Sequence, residues 1–320
     1  MRIAVLTGGI GGARFLTGVR AYARQVGAEV TAVVNVGDDV VLHGLRICPD
    51  LDSVMYTLGG GADRERGWGR AGETWTVKEE LAAYGAEPTW FGLGDRDVAT
   101  HLVRTTMLNA GYPLSAVTEA LCARWQPGVR LLPATDDRLE THVVVGTPDA
   151  DGPEAQRAIH FQEWWVRHRG DLPTSRFVFV GAEAAKPAAG VLDALAAADV
   201  VLLAPSNPVV SIAPVLAVAE LRDALVGGRA PVIGVSPIIG GAPVRGMADR
   251  CLAVLGVPCT AAGVGGLYGA RSAGGILDTW LVDTADAGTE VEGVAVRAAP
   301  LWMTDEAATT AMVRTAVEWG

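Results

Sequence analysis

Four aspartates lie close together near the start of the chain: Asp38, Asp39, Asp50 and Asp52. Unpaired carboxylates at this density would repel one another, and ligation of Mg²⁺ together with substrate phosphates would remove that repulsion. Helix caps and turns account for any one aspartate, but they explain all four together less well. The spacing therefore predicts phosphate chemistry at a magnesium site.

A glycine-rich loop precedes the aspartates. It follows the apolar segment 2–7, precedes a predicted helix over 13–25, and contains Gly8, Gly9, Gly11 and Gly12. Glycine allows positive φ and close approach of backbone amides to a ligand. The helix N-terminus would add free N–H groups and a partial positive charge. The loop is therefore a candidate phosphate cradle, and a tight turn that binds nothing is the alternative.

Two familiar glycine motifs do not fit this loop. Aligning Gly9 and Gly11 with the dinucleotide fingerprint puts Arg14 where a third glycine or alanine is needed for close helix packing. A Walker loop ends in Gly-Lys-Ser/Thr, and the only lysines of the chain are Lys78 and Lys186. The sequence therefore argues against a dinucleotide-dependent oxidoreductase and against a P-loop enzyme.

The segments around these residues alternate between strands and helices. This alternation predicts an α/β fold, a Rossmann-like three-layer αβα arrangement with a mostly parallel sheet and helical and β insertions. Ligands bind at the carboxyl ends of the strands in such sheets. The predicted strands are 2–7, 29–36, 88–93, 142–146, 157–162, 176–180, 199–204, 230–235, 279–283 and 295–302, and the predicted helices are 13–25, 51–58, 76–84, 96–110, 114–124, 188–197, 213–226, 245–255 and 305–318.

Polar residues follow several of these strands and should meet at one sheet edge. Asn35, Asp38 and Asp39 end the strand 29–36. Two prolines hold the turn after 199–204 extended, which suits hydrogen bonding to a base or ribose. The helix after 88–93 carries His101 and Arg104 on one side. In the alternative, Asp95 is a plain N-cap. The other residues are Gly94, Asp95, Arg96 and Asp97 after 88–93, Ser206 and Asn207 after 199–204, and Ser236 after 230–235.

Length and charge restrict the function classes. A chain of 320 residues can form a single domain 1–320, with a less regular insertion at about 95–175 and exposed loops at 148–155 and 183–190. A net charge of −10 and the lack of a basic cluster argue against a nucleic-acid partner. Four widely spaced cysteines without a CxxC pair fit a reducing cytoplasm. No apolar run is long enough to span a membrane, so a soluble protein is expected.

The segment 160–169 is dense in aromatic and basic residues. Trp164 and Trp165 are adjacent, so in an extended segment they would face opposite sides. One of them would then be a core residue, and the other would contact a partner subunit or offer a stacking surface to a flat ligand. His142, near a strand start, is more simply explained as a structural histidine.

Taken together, these motifs resemble the CofD/FbiA family, the 2-phospho-L-lactate or phosphoenolpyruvate transferases of coenzyme F-420 biosynthesis. The resemblance spans nearly the whole chain, and two further phrases, 43–48 and 164–167, resemble the actinobacterial branch, FbiA. The segments that carry it, in order, are Gly8–Gly12, Asn35–Asp39, Pro49–Asp52, Gly94–Asp97, His160–Gln162, Pro205–Pro208 and Ser236–Gly240.

The resemblance implies a substrate pair and a reaction. The deazaflavin Fo (7,8-didemethyl-8-hydroxy-5-deazariboflavin) would attack, through its terminal ribityl hydroxyl, the phosphorus of a guanosine diphosphate adduct of enolpyruvate or lactate, releasing GMP. The actinobacterial branch is expected to use the enolpyruvyl adduct. Positioning and charge stabilisation dominate such transfers. A homodimer is expected from family habit.

The resemblance also implies roles for individual residues. Mg²⁺ would be held by Asp38, with Asp50 as second ligand, and Asp52 would hold the Fo hydroxyl as candidate general base. The catalytic residues would be Asp38 and Asp52. The glycine loop with Arg14 would cradle the diphosphate, near Asp39. The guanosine side would be lined by Ser206, Asn207 and Ser236, and the Fo side by Gly94, Asp95, Arg96, Asp97 and His101.

One departure and one alternative remain. Archaeal relatives carry a lysine where Gly92 stands here, so a lysine contact to Fo at that position does not carry over.

A related family of regulators shares the glycine loop and the Asp-Asp pair and binds nucleotide sugars without turnover. Those proteins continue with a Gly-Gly-Ser-Ser type sequence, whereas Val40-Val41-Leu42-His43 follows here. This difference favours the transferase.

Overall fold

A computed structural model of the chain describes residues 1–146 and 156–319. The exposed loop expected at 148–155 lies outside the described residues. The strands are β1 (Arg2–Thr7), β2 (Glu29–Val34), β3 (Val40–Leu42), β4 (Leu45–Ile47), β5 (Arg130–Pro133), β6 (Glu140–Gly146), β7 (Gln156–His160), β8 (Thr174–Val180), β9 (Val200–Leu203), β10 (Val232–Val235), β11 (Ile238–Ile239), β12 (Ala242–Pro243), β13 (Thr279–Val282) and β14 (Ala295–Ala298).

Helices alternate with these strands, as the sequence predicts. They are α1 (Gly9–Val26), α2 (Pro49–Leu58), α3 (Thr76–Ala83), α4 (Asp95–Asn109), α5 (Leu114–Trp125), α6 (Val191–Ala196), α7 (Ala213–Leu216), α8 (Ala219–Gly227), α9 (Ala248–Val254), α10 (Ala261–Tyr268) and α11 (Glu306–Glu318). The chain also contains two π-helical turns, Glu163–Arg167 and Pro208–Ile212.

Seven strands form one parallel sheet in the order β14-β13-β10-β9-β1-β2-β5. The predicted α/β class with a mostly parallel sheet is confirmed. The chain leaves β1 for β2 on one side, and β9 pairs with β1 on the other. The carboxyl end of β1 is therefore the topological switch point, where open α/β sheets bind ligands.

Helices cover the sheet because its central strands are apolar on both faces. All four residues of β9 and of β10 are buried, as expected for strands enclosed by helices. Helix α1 packs against α2 and α11. A Cβ on Gly18 would lie 2.6 Å from the carbonyl carbon of Thr309, so this glycine sets how closely α1 and α11 approach.

Residues 95–175 contribute to two sheets. They supply α4, α5 and the edge strand β5 of the parallel sheet, and then most of a three-stranded antiparallel sheet, β7-β6-β8. Two short hairpins, β3-β4 and β11-β12, stand beside the carboxyl edge of the parallel sheet. No helix in the described part of the chain is long and apolar enough to cross a membrane.

Two local predictions were wrong, and several elements were not predicted. Residues 88–93 form a loop after the cis peptide bond Glu87–Pro88 instead of a strand. Strand β5 was missed because Arg130–Pro133 is short and ends in proline. The predicted helix 213–226 is interrupted at Val218, whose backbone is extended. Helix α10 was missed because three glycines lower its helix propensity.

The tryptophan pair lies in a π-helical turn instead of an extended segment. Trp164 is buried, and its Nε1 donates to Thr174 Oγ1 at 2.9 Å. Trp165 is partly buried, and its ring centroid lies 5.7 Å from that of Phe161. Both indoles therefore pack on the core from the same turn, because helical geometry does not place neighbours on opposite faces.

Candidate active site

The glycine loop connects β1 directly to α1. Gly8 is the N-cap residue, and the first turn of α1 already begins at Gly9, four residues before the predicted start. Gly9 has a positive φ of 65°. A Cβ on Gly8 would lie 2.6 Å from Asp50 Oδ2 and 2.9 Å from Asn35 Cβ. Close backbone approach therefore brings the free amides of this N-terminus against the aspartates.

Asp38 and Asp50 come together through one buried amide. Asn35 Nδ2 donates to Asp50 Oδ2 at 2.9 Å and to Asp38 Oδ1 at 3.3 Å. Gln162 Nε2 donates to Asp38 Oδ2 at 3.0 Å. Both carboxylates are buried. Within the described residues, no lysine, arginine or histidine nitrogen lies within 4.0 Å of either, so only neutral donors face this pair.

Burial and mutual repulsion raise the pKa values of Asp38 and Asp50. Burial raises the pKa of Asp38 well above its ordinary value, and the charge of Asp50 raises it further. Burial raises the pKa of Asp50 to about 6, against hydrogen bonds from Asn35 and the backbone of Gly9 that lower it. A divalent cation would relieve the same electrostatic cost, since it favours the charged form of both groups.

Asp39 accepts hydrogen bonds from a different set of partners. Its Oδ2 accepts from Arg46 Nη2 and from Cys48 Sγ, both at 3.0 Å. Burial raises the pKa of Asp39 to about 6 although Arg46 lowers it. His160 Nε2 donates to the backbone carbonyl of Asp39 at 3.1 Å, which fixes the turn between β2 and β3.

Asp52 lies in a buried network with Arg104 and His101. Arg104 Nη2 donates to Asp52 Oδ1, and Arg104 Nη1 lies 3.1 Å from His101 Nδ1. Because arginine only donates, His101 Nδ1 accepts and its proton sits on Nε2. Burial lowers the pKa of His101 to about 4, so the ring is neutral near pH 7. Asp52 Oδ2 and His101 Nε2 are buried without hydrogen-bond partners in the described chain.

Asp97 joins this network from the first turn of α4. Its Oδ1 accepts from the Tyr56 hydroxyl at 2.6 Å and lies 3.8 Å from His101 Nε2. Burial raises the pKa of Asp97 to about 7, and the charge of Asp52 adds to this effect. Of the predicted loop 94–97, Asp97 is thus the residue that connects to Asp52.

The other members of that loop hold α3 and α4 together. Asp95 accepts from the backbone amides of Thr76 and Val77 at 3.1 and 2.9 Å, so it caps α3 instead of its own helix. Gly94 is the N-cap of α4. The Arg96 side chain is exposed, as is that of Arg14 on α1.

The predicted guanosine-side residues lie at the ends of β9 and β10. Ser206 Oγ donates to the Gly8 carbonyl at 2.7 Å, which ties this turn to the glycine loop. Asn207 Oδ1 accepts from the amides of Val209 and Val210 and caps the π-helical turn. Ser236 Oγ donates to the Ile238 carbonyl at 2.9 Å. All three therefore shape the loops around the crevice.

Two polar residues at the centre of the site had been given no role from the sequence. Asn35 and Gln162 contact Asp38 directly. Asn35 carried a signal, because it ends β2 beside the aspartates, whereas Gln162 reaches Asp38 across 124 positions of sequence. The described residues contain no group of three or more His, Cys, Asp or Glu side chains arranged to hold a metal. Two carboxylates still match the donor set of Mg²⁺, which takes one or two carboxylates together with substrate phosphates.

Comparisons with known proteins identify the family of the chain. The model of the family "2-phospho-L-lactate transferase CofD" matches residues 3–318. A phosphoenolpyruvate transferase of Nocardia farcinica is 66% identical over 317 residues, covering 99% of this chain and 94% of that protein. A phosphoenolpyruvate transferase of Mycobacterium sp. strain JLS is 62% identical over 328 residues, covering 99% and 98%.

Solved structures with a similar fold are more distant in sequence. Two crystal structures of a UPF0052 family protein from Bacillus halodurans superpose with TM-scores of 0.59 and 0.60, at 16% and 17% identity and with at least 98% coverage of both chains. They support the fold alone. The family match over nearly the whole chain and the identity to the curated transferases confirm the resemblance found in the sequence. The chain belongs to the CofD family of transferases.

Proposed function

We infer that this protein transfers a phosphoenolpyruvyl group from enolpyruvyl-diphospho-5'-guanosine to the terminal ribityl hydroxyl of Fo. The products are dehydro coenzyme F-420-0 and GMP. The observation that carries the proposal is the buried pair Asp38 and Asp50, which faces the glycine loop and has no cationic partner in the described chain. The names of the curated relatives favour the enolpyruvyl donor over the lactyl donor.

The reaction is a displacement at phosphorus. The acceptor oxygen forms a bond to the phosphorus that carries the enolpyruvyl group, and the bond from that phosphorus to the bridging oxygen breaks. GMP leaves with the electron pair of that bond, and the acceptor hydroxyl loses its proton. Such transfers depend mainly on positioning and on stabilisation of charge.

Different residues around the crevice bind the diphosphate and the metal ion. The amides at the N-terminus of α1 bind the diphosphate, and Gly8, Gly9, Gly11 and Gly12 let it approach, with Arg14 assisting. Asp38 and Asp50 would hold Mg²⁺. The ion, when bound, neutralises charge on the diphosphate and on the departing GMP. Neutral donors from Asn35 and Gln162 keep the two carboxylates oriented without competing for their charge.

Asp52 holds the acceptor hydroxyl and takes its proton. Its Oδ1 is bound by Arg104, and its Oδ2 has no partner in the described chain, so one oxygen orients the carboxylate and the other is left for the substrate. Asp97 and His101 support this side of the crevice, where Gly94–Asp97 flank Fo. Asp39 with Arg46 lies near the diphosphate. The turns with Ser206, Asn207 and Ser236 line the guanosine side. The enzyme acts as a cytoplasmic homodimer.

A mass-spectrometric endpoint assay tests the proposal. Purified protein, Fo and Mg²⁺ are supplied in parallel with the enolpyruvyl and the lactyl diphosphoguanosine adducts. Dehydro coenzyme F-420-0 with GMP is expected from the first donor. The lactyl product alone would keep the transfer and reverse the donor. Loss of product when EDTA replaces Mg²⁺ is expected, and full activity in EDTA would contradict the metal site. No product from either donor would contradict the function.

A further inference from the structure

Two histidines, His142 and His160, lie beside the aspartates on the antiparallel sheet β7-β6-β8. Strand β6 pairs with β7 and places His142 directly opposite His160. The two ring centroids lie 5.5 Å apart in an edge-to-face arrangement. Side chains that stand opposite each other on one face of a sheet support each other's position. The two imidazoles therefore form one unit next to the turn that carries the aspartates.

His160 uses both of its ring nitrogens in hydrogen bonds. Its Nδ1 accepts from the backbone amide of Gln162, and its Nε2 donates to the backbone carbonyl of Asp39, both at 3.1 Å. An amide N–H only donates and a carbonyl only accepts, so the neutral ring with its proton on Nε2 is the form that satisfies both. Burial lowers the pKa of His160, which keeps the ring neutral near pH 7.

These two bonds separate His160 from a general acid or base. They leave neither a free lone pair nor a free N–H in the plane of its ring. To exchange a proton with a substrate, the ring would first have to release Gln162 or Asp39. His160 is therefore suited to holding the backbone, and any effect that it has on the reaction passes through the residues that it holds.

Gln162 connects the ring of His160 to the proposed metal site. The amide that His160 accepts belongs to the residue whose Nε2 donates to Asp38 Oδ2 at 3.0 Å. Gln162 lies at the start of a helical segment, where backbone amides lack helical partners. The imidazole satisfies one of these amides two residues ahead of it, as the side chain of an Asx turn does. The position of Gln162, and with it that of the Asp38 carboxylate, therefore depends on His160.

The second bond of His160 holds the turn that contains Asp38. The carbonyl that accepts from Nε2 belongs to Asp39, the next residue along the chain and 121 positions from His160 in sequence. One imidazole thus reaches Asp38 by two routes, along the backbone from Asp39 and through the side chain of Gln162. The second route ends on the carboxylate itself.

Glu140 and His142 keep the ring of His160 in place. His142 Nε2 donates to Glu140 Oε2 at 3.1 Å. The hydrogen bond from His142, together with Arg138, lowers the pKa of Glu140 to about 2, so this carboxylate is charged near pH 7. Hydrogen bonds to a charged carboxylate are stronger than those between neutral groups. The His142 ring is therefore fixed, and the ring of His160 packs against it.

We propose that His160 is a positioning residue, which orients the Asp38 carboxylate through Gln162. The ring of His142, held by Glu140, fixes His160 in turn. This inference rests on the proposed function, in which Asp38 would hold Mg²⁺. It assigns proton transfer to no histidine, and it gives the segment His160–Gln162 a role in the reaction.

Substitutions at position 160 separate the two hydrogen bonds. His160→Ala removes both. The side-chain amide of His160→Asn lies near the place of Nδ1 and can accept from Gln162, whereas that of His160→Gln reaches the place of Nε2 and can donate to Asp39. His160→Ala should lower kcat about 10- to 100-fold, the range for residues that orient a metal ligand, with KM for Fo nearly unchanged. His160→Asn should restore most of kcat, and His160→Gln should not.

Titration of Mg²⁺ alone gives a readout that does not depend on turnover. Calorimetry of Mg²⁺ with each intact protein should give a Kd about tenfold higher in His160→Ala than in the wild type, because the Asp38 carboxylate is no longer held. His168→Ala is the matched control, at another partly buried histidine, whose Nε2 lies 3.5 Å from Glu163. It should change neither kcat nor the Kd for Mg²⁺. Thermal unfolding checks that each variant is folded at the assay temperature.

A double-mutant cycle with Gln162→Ala tests the route from the ring to the carboxylate. Gln162→Ala should lower kcat as His160→Ala does. The double variant should be hardly worse than either single variant, because both changes remove the same support of Asp38. Losses that multiply in the double variant would show that His160 acts by another route, and they would overturn the assignment.

Other results also decide against the assignment. Unchanged kcat and Mg²⁺ affinity in His160→Ala, with a wild type that forms product, would overturn the positioning role and leave the proposed function intact. Rescue by His160→Gln but not by His160→Asn would show that the ring acts through Asp39 and not through Gln162. If the wild type forms no product, the proposed function fails, and the Mg²⁺ affinities alone decide on the positioning role. A wild type that neither forms product nor binds Mg²⁺ would overturn both.

Discussion

The four aspartates of the site form two contrasting pairs although they alternate along the chain. Asp39 and Asp52 each have an arginine as partner, Arg46 and Arg104. Asp38 and Asp50 share neutral donors and, in the described chain, lie within 4.0 Å of no cationic nitrogen. All four carboxylates are buried to a similar degree. Their difference therefore lies in the charge that compensates each of them.

This contrast indicates which carboxylates are already compensated by the chain and which pair needs a cation from outside it. Asp39 and Asp52 are each compensated by an arginine in the free protein, and Oδ2 of Asp52 stays available for the acceptor. An uncompensated buried pair is electrostatically costly, and a bound cation relieves that cost. The proposed magnesium ligands are thus the pair that needs a cation from outside the chain.

The largest expected effect comes from breaking an arginine pair. Asp52→Asn would leave the buried Arg104 guanidinium without its counter-charge, which costs about 3–5 kcal/mol of unfolding free energy. Chemical denaturation measures this loss. The same change in Asp171→Asn affects a pair with Arg250 that is largely exposed, and it should cost less than about 1 kcal/mol. Equal losses in both variants would contradict the structural role given to the Arg104–Asp52 pair.

The next effect is on catalysis, at the pair that lacks an arginine. Asp38→Ala should lower turnover at least about 100-fold at saturating Mg²⁺, on the scale of losing a main stabiliser of developing charge. Steady-state assays with both substrates measure it. Asp223→Ala, at an exposed position on α8, should leave turnover nearly unchanged. Full activity of Asp38→Ala would show that this carboxylate is not a metal ligand.

A third change displaces Asp50 without removing its charge. Gly8→Ala would place a methyl group 2.6 Å from Asp50 Oδ2, so the carboxylate or the loop must move. Overpacking of this kind costs about 1–3 kcal/mol of stability, and donor binding should weaken because the loop amides shift. Thermal unfolding and calorimetric titration of the nucleotide measure the two effects. Gly266→Ala, where a Cβ would meet nothing within 4 Å, is the control and should not destabilise.

The sequence predicted which residues the structure brings together at the sheet edge, because strand ends are local features. The end of β2 and the loop after β1 were recognised from apolar runs followed by glycine and aspartate, and parallel topology brings such ends together. The same reasoning could not divide the aspartates into two kinds. That division depends on Arg104, 52 positions from Asp52, and on Gln162, 124 positions from Asp38. Only tertiary packing decides which side chain reaches which carboxylate.

The errors in predicting the strands have a similar cause. Strand β5 is only four residues long and is stabilised by pairing with β2, so its own sequence hardly predicts a strand. Residues 88–93 are apolar and aromatic enough to suggest a strand, but in the structure Gly92 lies against Trp68 and Trp75 and the segment joins no sheet. Pairing and packing partners outweighed local preference in both segments.

The smallest expected effect has the opposite sign and depends on pH and metal. The folded-state pKa of Asp50, about 6, lies above its ordinary value of 3.8, so the folded protein binds this proton more tightly than the unfolded chain. The cost of the charged carboxylate is therefore absent below pH 4, grows as pH rises through 6, and is complete at pH 8. In EDTA at pH 8, Asp50→Asn should raise the free energy of unfolding by about 1–2 kcal/mol. The pKa difference corresponds to about 3 kcal/mol, at about 1.4 kcal/mol per pKa unit, and the neutral amide gives part of this back because it accepts weaker hydrogen bonds from Asn35 and Gly9 than the carboxylate does.

Magnesium should reverse this ranking. A ligand at 100 times its Kd stabilises the protein that binds it by about 2.7 kcal/mol, and only the wild type retains both carboxylates. Denaturation curves at pH 8 with and without Mg²⁺ should therefore cross over, with Asp50→Asn more stable in EDTA and the wild type more stable in saturating Mg²⁺. If the wild type gains nothing from the ion, the uncompensated pair is not its binding site, and the contrast with the arginine-paired aspartates has another cause.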